Sequence, residues 1–122
     1  MPNAEAPEVA GPAWPLELRL DPQKALLTIA YDTGETYSLP AEYLRVESPS
    51  AEVQGHGPSQ KLIVTGKEQV RIAHLEPVGN YAVRIVFDDG HDTGLFSWDY
   101  LRELGREQKT RWQTYLKAKR KP

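Results

Sequence analysis

The chain uses one phrase twice, and that repetition limits its fold more than any other feature. Ile29-Ala30-Tyr31-Asp32-Thr33-Gly34-Glu35-Thr36-Tyr37 runs in step with Ile85-Val86-Phe87-Asp88-Asp89-Gly90-His91-Asp92-Thr93, a shift of 56 positions. After one inserted residue, Tyr43-Leu44-Arg45 corresponds to Tyr100-Leu101-Arg102. Each copy reads as the end of a strand, a polar turn around Asp-x-Gly, a second strand and the start of a helix. That unit is common enough for two copies to coincide by chance; the other reading is a structural pseudo-repeat. Two units are too few for a solenoid. The conspicuous change within the turn sets Glu35 against His91.

The segments around the two copies extend the pattern. Leu16-Glu17-Leu18-Arg19-Leu20 alternates with period two, as a half-buried strand does. Asp21-Pro22-Gln23-Lys24 is a turn, residues 25–31 return as a strand, and 36–39 complete a meander. Residues 40–45 predict a short helix with Pro40 in its first turn and Ser38 as its cap. Residues 46–61 read as a loop, followed by a short buried strand at Leu62-Ile63-Val64. In 70–75 the alternation puts Val70, Ile72 and His74 on one face, with His74 expected to be partly buried. Residues 77–80 turn the chain, and 81–87 form the longest β-branched run. Ser97 is a good N-cap, and Leu101, Leu104, Trp112, Tyr115 and Leu116 fall on one helical stripe. Gly105 is expected to end one helix before another begins.

These elements predict an α+β, two-layer domain: antiparallel β-hairpins in a meander, short helices after each hairpin, and a C-terminal helix. The expected division is a disordered tail at 1–15, the domain proper at 16–104 and a helical extension at 105–122. The end of that extension, 117–121, carries four positive charges and is expected to fray.

Composition narrows the function. A chain of 122 residues can bury a real core, and 39% hydrophobic with 26% charged residues suits a soluble globular domain. A net charge of −2 supplies no global field for nucleic acid or an anionic membrane. Residues 1–15 lack the basic start and apolar stretch of a secretory signal, so a cytoplasmic location is expected. The chain has no cysteine, which removes disulfides, thiolate nucleophiles and every metal site built on thiolate. Metal ligands would have to come from the three histidines, from carboxylates or from the backbone.

His91, among Asp88, Asp89 and Asp92, could have its charged form favoured or could ligate a metal with a carboxylate orienting it. Equally, these residues are what an exposed turn prefers. His56 lies in Gln54-Gly55-His56-Gly57, where glycines permit close approach of a ligand and also suit any flexible loop. No phosphate loop, nucleophile elbow or His-Glu-x-x-His pattern is present. The basic C-terminal residues interleaved with Trp112 and Tyr115 are compatible with single-stranded nucleic acid, but read better as a solvated helix face over an apolar stripe.

Leu44-Arg45-Val46-Glu47-Ser48-Pro49-Ser50-Ala51-Glu52-Val53-Gln54-Gly55-His56-Gly57, with Phe87-Asp88-Asp89-Gly90-His91 and Trp98-Asp99-Tyr100-Leu101, resembles the gamma-butyrobetaine hydroxylase-like N-terminal domain family, also called DUF971. The resemblance covers about 16–104. In the hydroxylases this domain precedes a separate oxygenase domain and holds zinc through three cysteines and one histidine. Carried onto this chain, the cysteine positions fall on Ser48, Ser50 and Val53, and the histidine on His91. The resemblance therefore implies the fold but neither the family zinc nor oxygenase catalysis, whose domain and iron residues have no counterpart here. Family members also occur fused to P-loop iron–sulfur carrier ATPases, which implies an accessory role beside such a carrier or an oxygenase.

The expected function is thus a non-catalytic protein-interaction module, without nucleic-acid or membrane partners. Its face would be the 48–57 loop, through Ser48, Ser50, Gln54 and His56, set beside the 87–98 turn. Ser48 and Ser50 could hydrogen-bond His91 and fix that loop without metal. The alternative is a weak iron or zinc site at His91 and nearby carboxylates.

Overall fold

The computed structural model describes residues 12–49 and 66–120. Among them, β1 (Pro15–Leu20), β2 (Leu26–Tyr31) and β3 (Thr36–Pro40) form one antiparallel sheet in sequence order. The helix α1 (Ala41–Val46) follows directly. A second antiparallel sheet, β4 (Ile72–Val78), β5 (Ala82–Phe87) and β6 (Gly94–Ser97), leads into α2 (Trp98–Arg106) and then α3 (Gln108–Arg120). This is the α+β arrangement that the hairpin pattern predicts. No helix among the described residues is long and apolar enough to cross a membrane.

The repeat is structural. β2 and β5 occupy the same stretch at a shift of 56, and their inward residues Leu27, Ile29 and Tyr31 match Val83, Ile85 and Phe87, all buried. The two turns share their hydrogen bonds. Tyr31 N–H donates to the Glu35 carbonyl at 2.8 Å, and Phe87 N–H to the His91 carbonyl at 2.9 Å. Gly34 and Gly90 adopt φ of 94° and 93°. Outside each turn an aspartate clamps the preceding edge of its sheet. Trp14 N–H donates to Asp32 Oδ1 at 3.1 Å, and Arg71 N–H to Asp88 Oδ1 at 3.0 Å.

Because both glycines sit at positive φ with open space where a Cβ would go, backbone strain alone decides the effect of substitution. Gly34→Ala and Gly90→Ala should each cost about 1–2 kcal/mol. Urea unfolding of the two variants checks this, and clearly unequal losses would contradict the equivalence of the turns.

The halves close on each other reciprocally. Tyr43 of α1 donates its hydroxyl to the Leu104 carbonyl of α2 at 2.7 Å, while Tyr100 of α2 donates to the Glu47 carbonyl after α1 at 2.6 Å. Residues 43 and 100, like 47 and 104, are equivalents at a shift of 57. Burial pushes both phenols up, Tyr100 to about 12, so both remain donors at neutral pH. One core runs through both halves, with Leu27, Ile29, Leu39 and Leu44 from the first and Ile72, Ile85, Phe96, Leu101 and Leu104 from the second. Each sheet covers the apolar face that the other could not bury alone.

Several local expectations need correction. Ser38 does not cap α1: it lies in β3 with its hydroxyl 3.2 Å from that of Thr28, and Pro40 is the N-cap without a side-chain bond. Its fixed φ already suits the position, and the strand pairing claims Ser38. Gly105 lies inside α2, which runs on to Arg106 with Glu107 as its C-cap. His74 is exposed, not partly buried, because a bulge between Ile72 and His74 turns the later residues of β4 over. Its Nε2 meets Glu76 at 2.7 Å. The C-terminal residues described are held, since Lys119 pairs with Glu68 at 2.6 Å and Glu42 at 3.3 Å. Packing begins before Leu16, with Ala13 buried. Ser97 caps α2 as expected, accepting from Tyr100 N–H at 3.0 Å. The strand expected at 62–64 and the tail at 1–11 lie outside the described residues.

Candidate functional site

The β5–β6 turn brings His91 inward. Asp89 Oδ1 accepts the His91 N–H at 3.1 Å, an aspartate bonding the backbone two residues on, and the turn folds the imidazole onto Phe87 with ring centroids 5.9 Å apart. The side chain is buried, and its Nε2 lies 2.9 Å from Ser48 Oγ, itself fully buried just past α1. A Cβ on Gly94 would sit 2.5 Å from that hydroxyl, so glycine there is what lets Ser48 reach the turn. Ser48 and His91, read from sequence as neighbours 43 residues apart, are in direct contact.

The carboxylates around His91 face elsewhere. Asp89 Oδ2 accepts from Arg45 at 2.9 Å and Lys67 at 2.7 Å. Burial works upward on Asp89, but bonds from Lys67, the His91 N–H and Arg45 outweigh it and hold the carboxyl at about 2. Asp88 Oδ1 is taken by the Arg71 N–H, and Asp92 is exposed. In the other copy, Glu35 stands where His91 would and pairs with Arg102 at 2.8 Å and Arg106 at 3.2 Å. Arg45 and Arg102 are equivalents, so each helix sends an arginine into the turn of the opposite half. Among the described residues, no group of three or more histidines and carboxylates could hold a metal ion.

Residues 18–102 match the gamma-butyrobetaine hydroxylase-like N-terminal family. The chain belongs to this family. A crystal structure described as a DUF971-family protein of unknown function from Acidithiobacillus ferrooxidans ATCC 23270 is 43% identical, with TM-score 0.63 over 75% of this chain and 91% of that one. A protein solved by NMR is 44% identical, with TM-score 0.77 over 96% of this chain and 86% of that one. A second, also solved by NMR, is 47% identical, with TM-score 0.75 over 88% and 85%. No curated protein matches the chain.

The family's zinc does not fit the residues described in this member. Two donors of one tetrahedral zinc, with bonds near 2.0–2.3 Å, stand about 3.5 Å apart, and structural sites use thiolate or imidazole. Ser48 and His91 instead stand at hydrogen-bond distance, 2.9 Å, and a neutral hydroxyl replaces the thiolate. Ser50, Val53, Gln54 and His56 lie outside the described residues. Two locks went unread in the sequence. One is Arg45–Asp89–Lys67; the other is Arg111, which reaches buried Glu47 at 2.9 Å and Glu103 at 2.6 Å. The offset of the repeat could have suggested the first, since it pairs Arg45 with Arg102.

Proposed function

We propose that this family member is a non-catalytic accessory module that binds a protein partner, an iron–sulfur carrier ATPase or an oxygenase, through the surface around the Ser48–His91 contact. The buried hydrogen bond between these residues carries the reading, because it ties the end of α1 directly to the β5–β6 turn. A hydroxyl–imidazole bond replaces a ligand pair, so the two stretches keep a common face on a fixed scaffold. Ser48 is fully buried and therefore positions that face; it is not a nucleophile open to substrate.

The test is affinity purification at native expression levels from the source cell, with wild type, Ser48→Ala and His91→Ala side by side. An iron–sulfur carrier or oxygenase is expected with the wild type and should be depleted at least several-fold with either variant. Each variant should also lose about 1–2 kcal/mol in urea unfolding, the cost of removing a buried hydrogen bond. Unchanged stability and unchanged recovery would remove the shared face. The competing reading, a weak iron or zinc site at His91, would draw on exposed Asp92, or on Asp88 or Asp89 once they leave the groups they now bind. Elemental analysis of natively purified protein decides it: stoichiometric metal lost in His91→Ala would favour the metal site over the interaction module.

A further inference from the structure

A second feature lies at the other end of the β5–β6 hairpin, where Ala82 pairs with Ser97. Trp14, Tyr81 and Trp98, with Pro12 and Asp99, line a cavity of about 290 Å³. Its size is close to the lower limit of ligand pockets, roughly 300 Å³, enough for one side chain but not for a large cofactor. Trp14 and Tyr81 are 52% and 56% exposed, unusual for such large rings. Their surroundings are nonetheless fixed. Trp14 is clamped through its backbone to Asp32, with Asp32 N–H donating to the Trp14 carbonyl at 2.8 Å. The Trp98 indole N–H donates to the Asn80 carbonyl at 3.0 Å, and the Trp98 backbone N–H to the Tyr81 carbonyl at 3.1 Å.

The repeat provides an internal control for whether the fold needs these rings. Trp14 corresponds to Arg71, Tyr81 to Ala25 and Trp98 to Ala41. Those residues make the same backbone contacts: Asp88 N–H donates to the Arg71 carbonyl at 2.9 Å, and Ala41 N–H to the Ala25 carbonyl at 2.8 Å. The architecture is thus built at one end with Arg, Ala and Ala, and at the other with Trp, Tyr and Trp. Trp98 also packs against the core and bonds Asn80, but Trp14 and Tyr81, half-exposed at positions that Arg71 and Ala25 fill in the other half, point to a ligand.

Charge selects its class. Asp99 stands at the cavity and Asp32 holds its Trp14 wall, while no lysine or arginine is among the described lining residues. Aromatic faces and carboxylates together attract a cation, and indole is the strongest of these faces. We infer that the Trp14–Tyr81–Trp98 cavity is a docking site for an arginine side chain presented by a partner polypeptide. The guanidinium would lie against the rings, with Asp99 pairing its charge. The chain's own residues 1–11 contain two glutamates and no arginine or lysine, so they do not supply this group.

The experiment follows the three indole N–H signals of the full chain by NMR. The probe is the peptide acetyl-Gly-Ala-Arg-Ala-Gly-amide, with its citrulline counterpart as the neutral isostere and guanidinium chloride as the free cation. The arginine peptide should shift Trp14 and Trp98 but not Trp112, binding at least five-fold more tightly than the citrulline peptide and than free guanidinium. Asp99→Asn should weaken it at least three-fold. Trp14→Arg, which installs the residue that the other half tolerates, should abolish binding with the unfolding midpoint almost unchanged. Tyr81→Ala gives a second readout should Trp14→Arg perturb the fold. No shift at millimolar peptide, or equal binding of the citrulline peptide, would overturn the inference. Equal binding of free guanidinium would overturn the assignment to a polypeptide.

Discussion

Gly105→Ala is expected to lower the unfolding free energy by about 2–3 kcal/mol, the range for forcing extra volume into a packed site. A Cβ at this position would stand 2.3 Å from the Tyr37 ring, closer than any real contact. The ring cannot easily retreat, because its hydroxyl donates to Glu35 Oε2 at 2.6 Å and its edge meets Tyr31. In an isolated helix the same change would be stabilising, since alanine favours helix over glycine by about 1 kcal/mol. The sign of the effect therefore separates packing from propensity. Urea unfolding of Gly105→Ala and Tyr37→Ala/Gly105→Ala reads it directly. The double variant should recover part of the loss relative to Tyr37→Ala alone, and a stabilised single variant would refute the close packing.

The second large effect belongs to the lock between Arg102 and Glu35. Burial would raise the Glu35 carboxyl, but hydrogen bonds from Arg102, Thr33 and Tyr37 outweigh it and hold it at about 2, against an ordinary 4.5. A carboxyl depressed in the folded state contributes stability that is fully present above its unfolded value and is lost as pH falls through the folded one. Stability should accordingly decline from about pH 4.5 toward pH 2, with Asp89 adding to the fall over a similar range. Arg102→Met at neutral pH should cost about 1.5–3 kcal/mol, because it removes the closer of two guanidinium partners and leaves the carboxylate with Arg106, Thr33 and Tyr37. At pH 2.5 the loss should shrink, since Glu35 is then partly protonated in the variant. Urea midpoints from pH 2 to 7 for wild type, Arg102→Met and Glu35→Gln check the sign. A loss in Arg102→Met that is the same at both ends would mean the arginine acts by packing alone.

Much of the fold was legible because it rests on short-range chemistry. The Asp-x-Gly turns at a constant shift, the period-two strand at 16–20 and Ser97 before α2 each leave a local mark, and each is found where the sequence puts it. The errors came where neighbours distant in sequence overrule a local preference. Gly105 looked like a helix stop because glycine often is one, yet Tyr37, 68 positions away, is the reason for it. His74 followed a strand alternation until a bulge in the pairing with β5 reversed its face.

The sequence by itself determined the two matching hairpin phrases, the family, and the absence of thiolates that separates this chain from the zinc-holding hydroxylase pattern. Those are matters of residue identity and spacing. Only the tertiary structure decided that the two copies share one core, that Ser48 and His91 bond directly, and that Asp89 serves Arg45 and Lys67 while its other oxygen merely shapes the turn. A carboxylate beside a histidine in sequence can turn toward any cation that the fold brings near. Which cation arrives is set by the packing of two halves, and no local pattern records it.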